Sequence, residues 1–153
     1  MILAARGIHL AYGRRQVLHG ADLEARSGQV TALAGPNGSG KSSLLRCALG
    51  LLRPERGRVE LDGRDLSGLA PAERARLLAY VPQAVPPGFP MSVFEFVLAG
   101  RRPHLAWRAT AADEEAVALA LERAGLEDLA LRPYDHLSGG QKQKALLARA
   151  LAQ

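Results

Sequence analysis

Eight residues, Gly35-Pro36-Asn37-Gly38-Ser39-Gly40-Lys41-Ser42, set three glycines, a lysine and a hydroxyl in the order G-x-x-x-x-G-K-[ST]. Gly35, Gly38 and Gly40 permit a backbone path that side chains would block, so successive N–H groups can turn inward onto phosphate oxygens. Lys41 offers a point charge for β- and γ-phosphates, Ser42 a hydroxyl oxygen for Mg²⁺, and Ser43 a donor to an α-phosphate. A helix expected to start near Lys41 would bring unpaired N–H groups and its positive dipole end to the same spot. The chemistry this pattern suits is the holding of a nucleoside triphosphate. A second stretch, Leu137-Ser138-Gly139-Gly140-Gln141, repeats the idea on a smaller scale, with one hydroxyl, two glycines and a following helix. Alone, it also fits an ordinary helix cap.

Those residues need elements to carry them. "ILAARGIHLAYG" and "QVLHGADLEA" read as strands broken at Gly13 and Gly20, and "VTALAG" reads as a buried strand emptying into the glycine loop. "SSLLRCALGLL" suits a helix packed on the sheet. "GRVELDGRDL" predicts a hairpin at Asp62-Gly63, and "APAERARLLAYVPQ" a helix opened by Pro71, then a strand ending at Pro82-Gln83. Beyond the loop "AVPPGFP" the pattern becomes helical. Ser92 with Glu95 and Thr110 with Asp113 predict capping boxes, and Gly125 a helix end.

Composition narrows the class. At 153 residues with 48% hydrophobic and 23% charged content, the chain is one ordinary globular domain in size. No run approaches a membrane span, and "MILAARG" lacks the form of a secretory signal, so a cytoplasmic protein is expected. Cys47 is the sole cysteine, which excludes an internal disulfide and a thiolate metal cluster and suggests a small apolar side chain on a helix. The charge is +5, but the arginines are dispersed from Arg6 to Arg149, so no nucleic-acid partner is expected.

With both anion-binding stretches in view, the chain resembles an ATP-binding cassette (ABC) ATPase. "GPNGSGKS" is similar to that family's Walker A loop, "VPQ" to its Q-loop and "LSGGQ" to its signature motif, in the family's order. The resemblance implies an α/β fold of the P-loop NTPase type, with an antiparallel β-subdomain and a helical insert. Residues 1–83 would form the β-subdomain and P-loop core, 84–133 the helical subdomain, and 134–153 the signature motif and its helix. It also implies that Tyr12 stacks on adenine, that Lys41 and Gln83 act in catalysis, and that Ser42 and Gln83 approach Mg²⁺. Leu137, Ser138, Gly139, Gly140 and Gln141 would contact ATP held by a second subunit in a head-to-tail dimer. A transmembrane permease would dock in the groove near Gln83, placing the protein on the inner face of the cell membrane.

The resemblance implies further pieces that these residues lack: an apolar strand ending in Asp-Glu after the signature helix, and a later histidine. Asp62, Asp65, Asp113, Glu114, Glu115, Glu127 and Asp128 do not follow such a strand, and His104 and His136 are misplaced for the histidine. The sequence is therefore expected to be the N-terminal part of a longer cassette, cut before the Walker B strand, that binds ATP with negligible turnover on its own. "MSVFEFVLAGRRPHL" resembles the insert of importers of ferric siderophores, haem or cobalamin. Alternatives are a non-hydrolysing ATP-binding module and a non-transport cassette of the DNA-repair or translation type. The short spacing from Lys41 to Ser138, without heptads, argues against the repair type.

Overall fold

The opening residues form the predicted hairpin, β1 (Ile2–Tyr12) pairing antiparallel with β2 (Arg15–Arg26) across Gly13-Arg14. The computed structural model describes residues 1–83, 90–105 and 108–153. The chain divides into two units, Met1–Arg74 and Ala75–Gln153. Gly20 does not end β2 as its type suggested. At φ 81° it takes up the extra residue of a bulge, between the pairs Ile8↔Ala21 and His9↔His19. β3 (Arg56–Leu61) lies along the other edge of β1, and β4 (Arg64–Asp65) closes the sheet in the order β2-β1-β3-β4. Between β3 and β4, Asp62 and Gly63 have φ of 50° and 80°, the two positive values a type I′ hairpin turn requires.

One face of this sheet is apolar. Ala5, Ile8, Leu10, Leu18, Val59 and Leu61 are buried, and α1 (Lys41–Ala48) packs on β1 and β2 and buries Leu44, Cys47 and Ala48. Cys47 is the small apolar residue its surroundings predicted, and burial pushes its thiol pKa up.

Two expected strands are not formed. Residues 29–36 have no strand pairing and Val30 is 99% exposed, and residues 77–82 are likewise irregular. An apolar run becomes a buried strand only when neighbours take its N–H and C=O groups and layers cover both faces. Among the described residues, every named strand belongs to the antiparallel sheet, and none runs beside 29–36. The predicted helix after Ala70 is the single turn α2 (Pro71–Ala75). The loop read at "AVPPGFP" falls mostly on residues 84–89, outside the described residues.

The second unit is helical. α3 (Val93–Leu98), α4 (Ala111–Ala124) and α5 (Gly139–Ala152) pack together around Val93, Phe96, Val97, Val117, Leu121, Leu126, Tyr134 and Leu146. Both predicted capping boxes are present, and Gly125 ends α4 in the left-handed conformation at φ 61°. Asp113 does more than cap. Its carboxylate accepts from the Thr110 N–H at 2.9 Å, the Thr110 hydroxyl at 2.7 Å and the Arg101 Nε–H at 3.0 Å, while Arg101 Nη1 donates to the Ala152 carbonyl at 2.8 Å. One arginine thus joins the start of α4 to the end of α5. The Thr110 backbone bond, then the Thr110 hydroxyl and Arg101, lower the Asp113 pKa from 3.8 to about 2. Because the folded value is depressed, the stabilisation is present above about 3.8 and is lost as pH falls towards 2. In chemical denaturation, Asp113→Asn is expected to be less stable than the native chain at pH 7, with the gap closing between pH 4 and pH 2. Thr110→Ala is expected to cost about 1 kcal/mol at pH 7.

Candidate functional site

The helix that follows the glycine loop starts differently from the others. Gly40 is the N-cap of α1 at φ 89° and ψ 4°, and a Cβ there would lie 2.8 Å from Leu18 Cδ2 and 3.2 Å from the Val17 carbonyl oxygen. Left-handed backbone pressed against β2 leaves glycine as the only residue that fits without strain. Glycine has no side chain with which to cap, so the first-turn amides of Lys41, Ser42 and Ser43 receive no side-chain acceptor from it. Leu44 N–H makes the first helical bond, to the Gly40 carbonyl at 2.8 Å. No acidic side chain stands in that turn to neutralise the dipole end. The outcome is a donor-rich, positive helix terminus at the mouth of the loop.

Lys41 folds back over the same loop. Its Nζ donates to the Gly35 carbonyl at 2.8 Å and the Pro36 carbonyl at 2.7 Å, and the Ser39 N–H closes a turn onto Pro36 at 3.3 Å. The ammonium keeps a third donor, and a phosphate oxygen is a stronger acceptor than either carbonyl. Asn37 and Gly38 stand exposed at the loop tip, Gly38 at φ 82°, and the Ser42 side chain is exposed in the first turn of α1. Tyr12, half exposed at the end of β1, lies within hydrogen-bond reach of Ser43, 3.2 Å between hydroxyl oxygens. The structure therefore brings Tyr12, Gly35, Pro36, Ser39, Gly40, Lys41 and Ser43 into one constellation, in the first unit.

In the second unit the other glycine stretch caps itself. Ser138 is the N-cap of α5: its Oγ accepts from the Gln141 N–H at 3.3 Å, and Gln141 Oε1 accepts from the Ser138 N–H at 2.9 Å. Among the described residues no acceptor takes the Ser138 hydroxyl proton, and beyond the adjoining residues and the helix's own backbone nothing lies within 4 Å of where a Cβ would stand on Gly139 or Gly140. An anion can approach this end closely, but it meets a helix whose first amides are already partly satisfied. Leu137 is buried beneath it.

Gln83 is exposed, and its carbonyl accepts from Gln143 Nε2 at 3.1 Å. The sequence reading missed Gln143. Its only signal was a polar residue two places after Gln141, which on a helix surface is commonplace. The Arg101 link to Asp113 was also missed, since "GRRPHL" gives no sign of which arginine turns inward.

The ABC transporter family profile matches residues 18–153. The hemin import ATP-binding protein HmuV of Pseudomonas entomophila is 48% identical over 152 residues, which is 99% of this chain and 59% of that protein. The chain thus spans somewhat under two thirds of that relative's length. Among solved structures, the ADP conformation of an ATP-binding cassette of an ABC transporter aligns at TM-score 0.85 and 30% identity, over 99% of this chain and 64% of that one. A bacterial Atm1-family ABC exporter with ATP bound aligns at TM-score 0.80 and 26% identity, over 99% of this chain and 27% of its own. With the glycine loop, the start of α1 and the Ser138 turn all lying within the matched residues, the chain belongs to the ABC transporter family.

Proposed function

We propose that the chain serves as the nucleotide-holding portion of the ATP-hydrolysing subunit of an ABC importer. The observation that carries this reading is the α1 terminus, where free amides, the dipole end and the Lys41 ammonium converge on one loop. ATP would lie with its phosphates on residues 35–43 and its base against the exposed ring of Tyr12. The exposed Ser42 hydroxyl suits a Mg²⁺ ion that takes most of its ligands from phosphates and water. Lys41 and Gln83 are this chain's contribution to catalysis, Lys41 by offsetting charge on the transferred phosphoryl group. Leu137, Ser138, Gly139, Gly140 and Gln141 would meet the nucleotide of a second subunit, paired head to tail. A permease would sit over the region of Gln83, on the cytoplasmic side of the membrane, and the helical insert would belong to residues 84–133.

The importer reading and an iron-chelate cargo, haem or a ferric siderophore, draw support from the similarity to the hemin import protein and from "MSVFEFVLAGRRPHL". Reconstitution with the permease and a cargo-binding protein tests it. ATP hydrolysis should rise when haem or a ferric siderophore is supplied, and no response to either would reject this cargo class.

The site itself is tested by titrating ATP. Lys41→Ala removes a charge-assisted contact worth about 1.5–3 kcal/mol, so ATP affinity should fall by roughly tenfold or more. Gly40→Ala should weaken ATP binding and lower stability by about 1–3 kcal/mol, because the helix start must move away from β2. Native-like ATP affinity in both variants would remove the loop from the site.

A further inference from the structure

The helix carrying Ser138 is gripped by an arrangement that the capping box does not explain. Lys142 Nζ stands 5.7 Å from the centre of the Tyr134 ring. That ring stacks on Phe96, with centroids 4.2 Å apart and planes inclined by 24°. Arg149 Cζ stands 5.2 Å from the centre of the Phe96 ring. Cation, ring, ring and cation thus follow one another. Lys142 and Arg149 are seven residues apart, two turns of α5, and so share a face. Both are half-buried, which strengthens attraction to a ring face. Lys142 also lies near the positive end of α5, where a cation disfavours the helix. The Tyr134 ring gives it a favourable place despite that.

The rings are anchored apart from α5. Phe96 belongs to α3, and the Tyr134 N–H donates to the Met91 carbonyl at 2.9 Å, just ahead of that helix. Tyr134 opens the short 3-10 turn Tyr134–His136, whose exit leads through buried Leu137 to Ser138. Further along, the Gly100 backbone lies so close to the Arg149 carbonyl that a side chain at Gly100 would collide with it. Aliphatic contacts have no preferred direction, whereas a cation over a ring face keeps its attraction only while it stays over that face. A one-residue slip moves each cation 1.5 Å along the axis and 100° around it, off its ring.

We propose that Phe96, Tyr134, Lys142 and Arg149 form a clamp that fixes the axial position of α5, making them positioning residues for the residue 138–141 end where it meets the nucleotide of a second copy of the subunit. The encounter rests on the function proposed above; the clamp does not. Two measurements on the complete subunit separate them. Amide hydrogen exchange without nucleotide tests the clamp: Tyr134→Leu and Lys142→Met should speed exchange at residues 141–143 by about tenfold while leaving the α4 amides unchanged. Tyr134→Phe and Lys142→Arg should exchange as native. Lys142→Met, at a half-buried surface position, keeps the test valid should Tyr134→Leu fail to fold. Dimerisation on MgATP tests the role: the clamp variants should dimerise about tenfold more weakly, with ATP affinity of the isolated subunit unchanged. Native-like exchange in both clamp variants overturns the clamp, and native-like dimerisation despite faster exchange overturns its role. If the native subunit itself does not dimerise on MgATP, the two-subunit reading fails and the positioning role with it, while exchange still decides the clamp.

Discussion

A helix begins with amides that its own backbone cannot satisfy, and the helices here meet that constraint in two ways. α3, α4 and α5 answer it internally, through Ser92 with Glu95, Thr110 with Asp113, and Ser138 with Gln141. α1 does not, because Gly40 can offer its first turn no side chain and no acidic residue follows. The same glycine is what allows α1 to start hard against β2. Close packing and an open set of donors are thus two results of one missing side chain.

Lys41 fits this arrangement in an economical way. Its ammonium bridges the Gly35 and Pro36 carbonyls, drawing the loop around a positive centre without involving a carboxylate. A paired acid would have neutralised the centre, whereas two neutral carbonyls leave the charge in place for an anionic ligand. Tyr12 reaches the same rim from β1, so the sheet and the helix each contribute to the mouth of the loop.

The helical unit shows a different economy, in which polar side chains tie together elements that the apolar core alone would only bring near. Arg101 links Asp113 at the start of α4 to the Ala152 carbonyl at the end of α5, and Gln143 holds the carbonyl of Gln83. Around the rings of Phe96 and Tyr134 the core becomes directional, since a ring face attracts a cation only from above. Apolar burial makes this unit cohere, and these few oriented contacts join particular points of its elements.

Much of this could be read from residue types alone, because the physics involved is local. Capping boxes, the Asp62-Gly63 turn, the Gly125 helix end and the glycine loop ahead of α1 each depend on a few adjacent residues, whose conformational demands travel with them. The apolar run at residues 30–34 did not become the expected strand, since such a run states only that burial is favourable, and neighbouring strands decide whether it happens. Tertiary structure alone decided which arginine of "GRRPHL" turned to Asp113, which lysine met Tyr134, and that Gln143 reached Gln83. Those choices join residues from 8 to 60 positions apart, and such pairing is set by how the elements pack, not by any pattern in the chain between them.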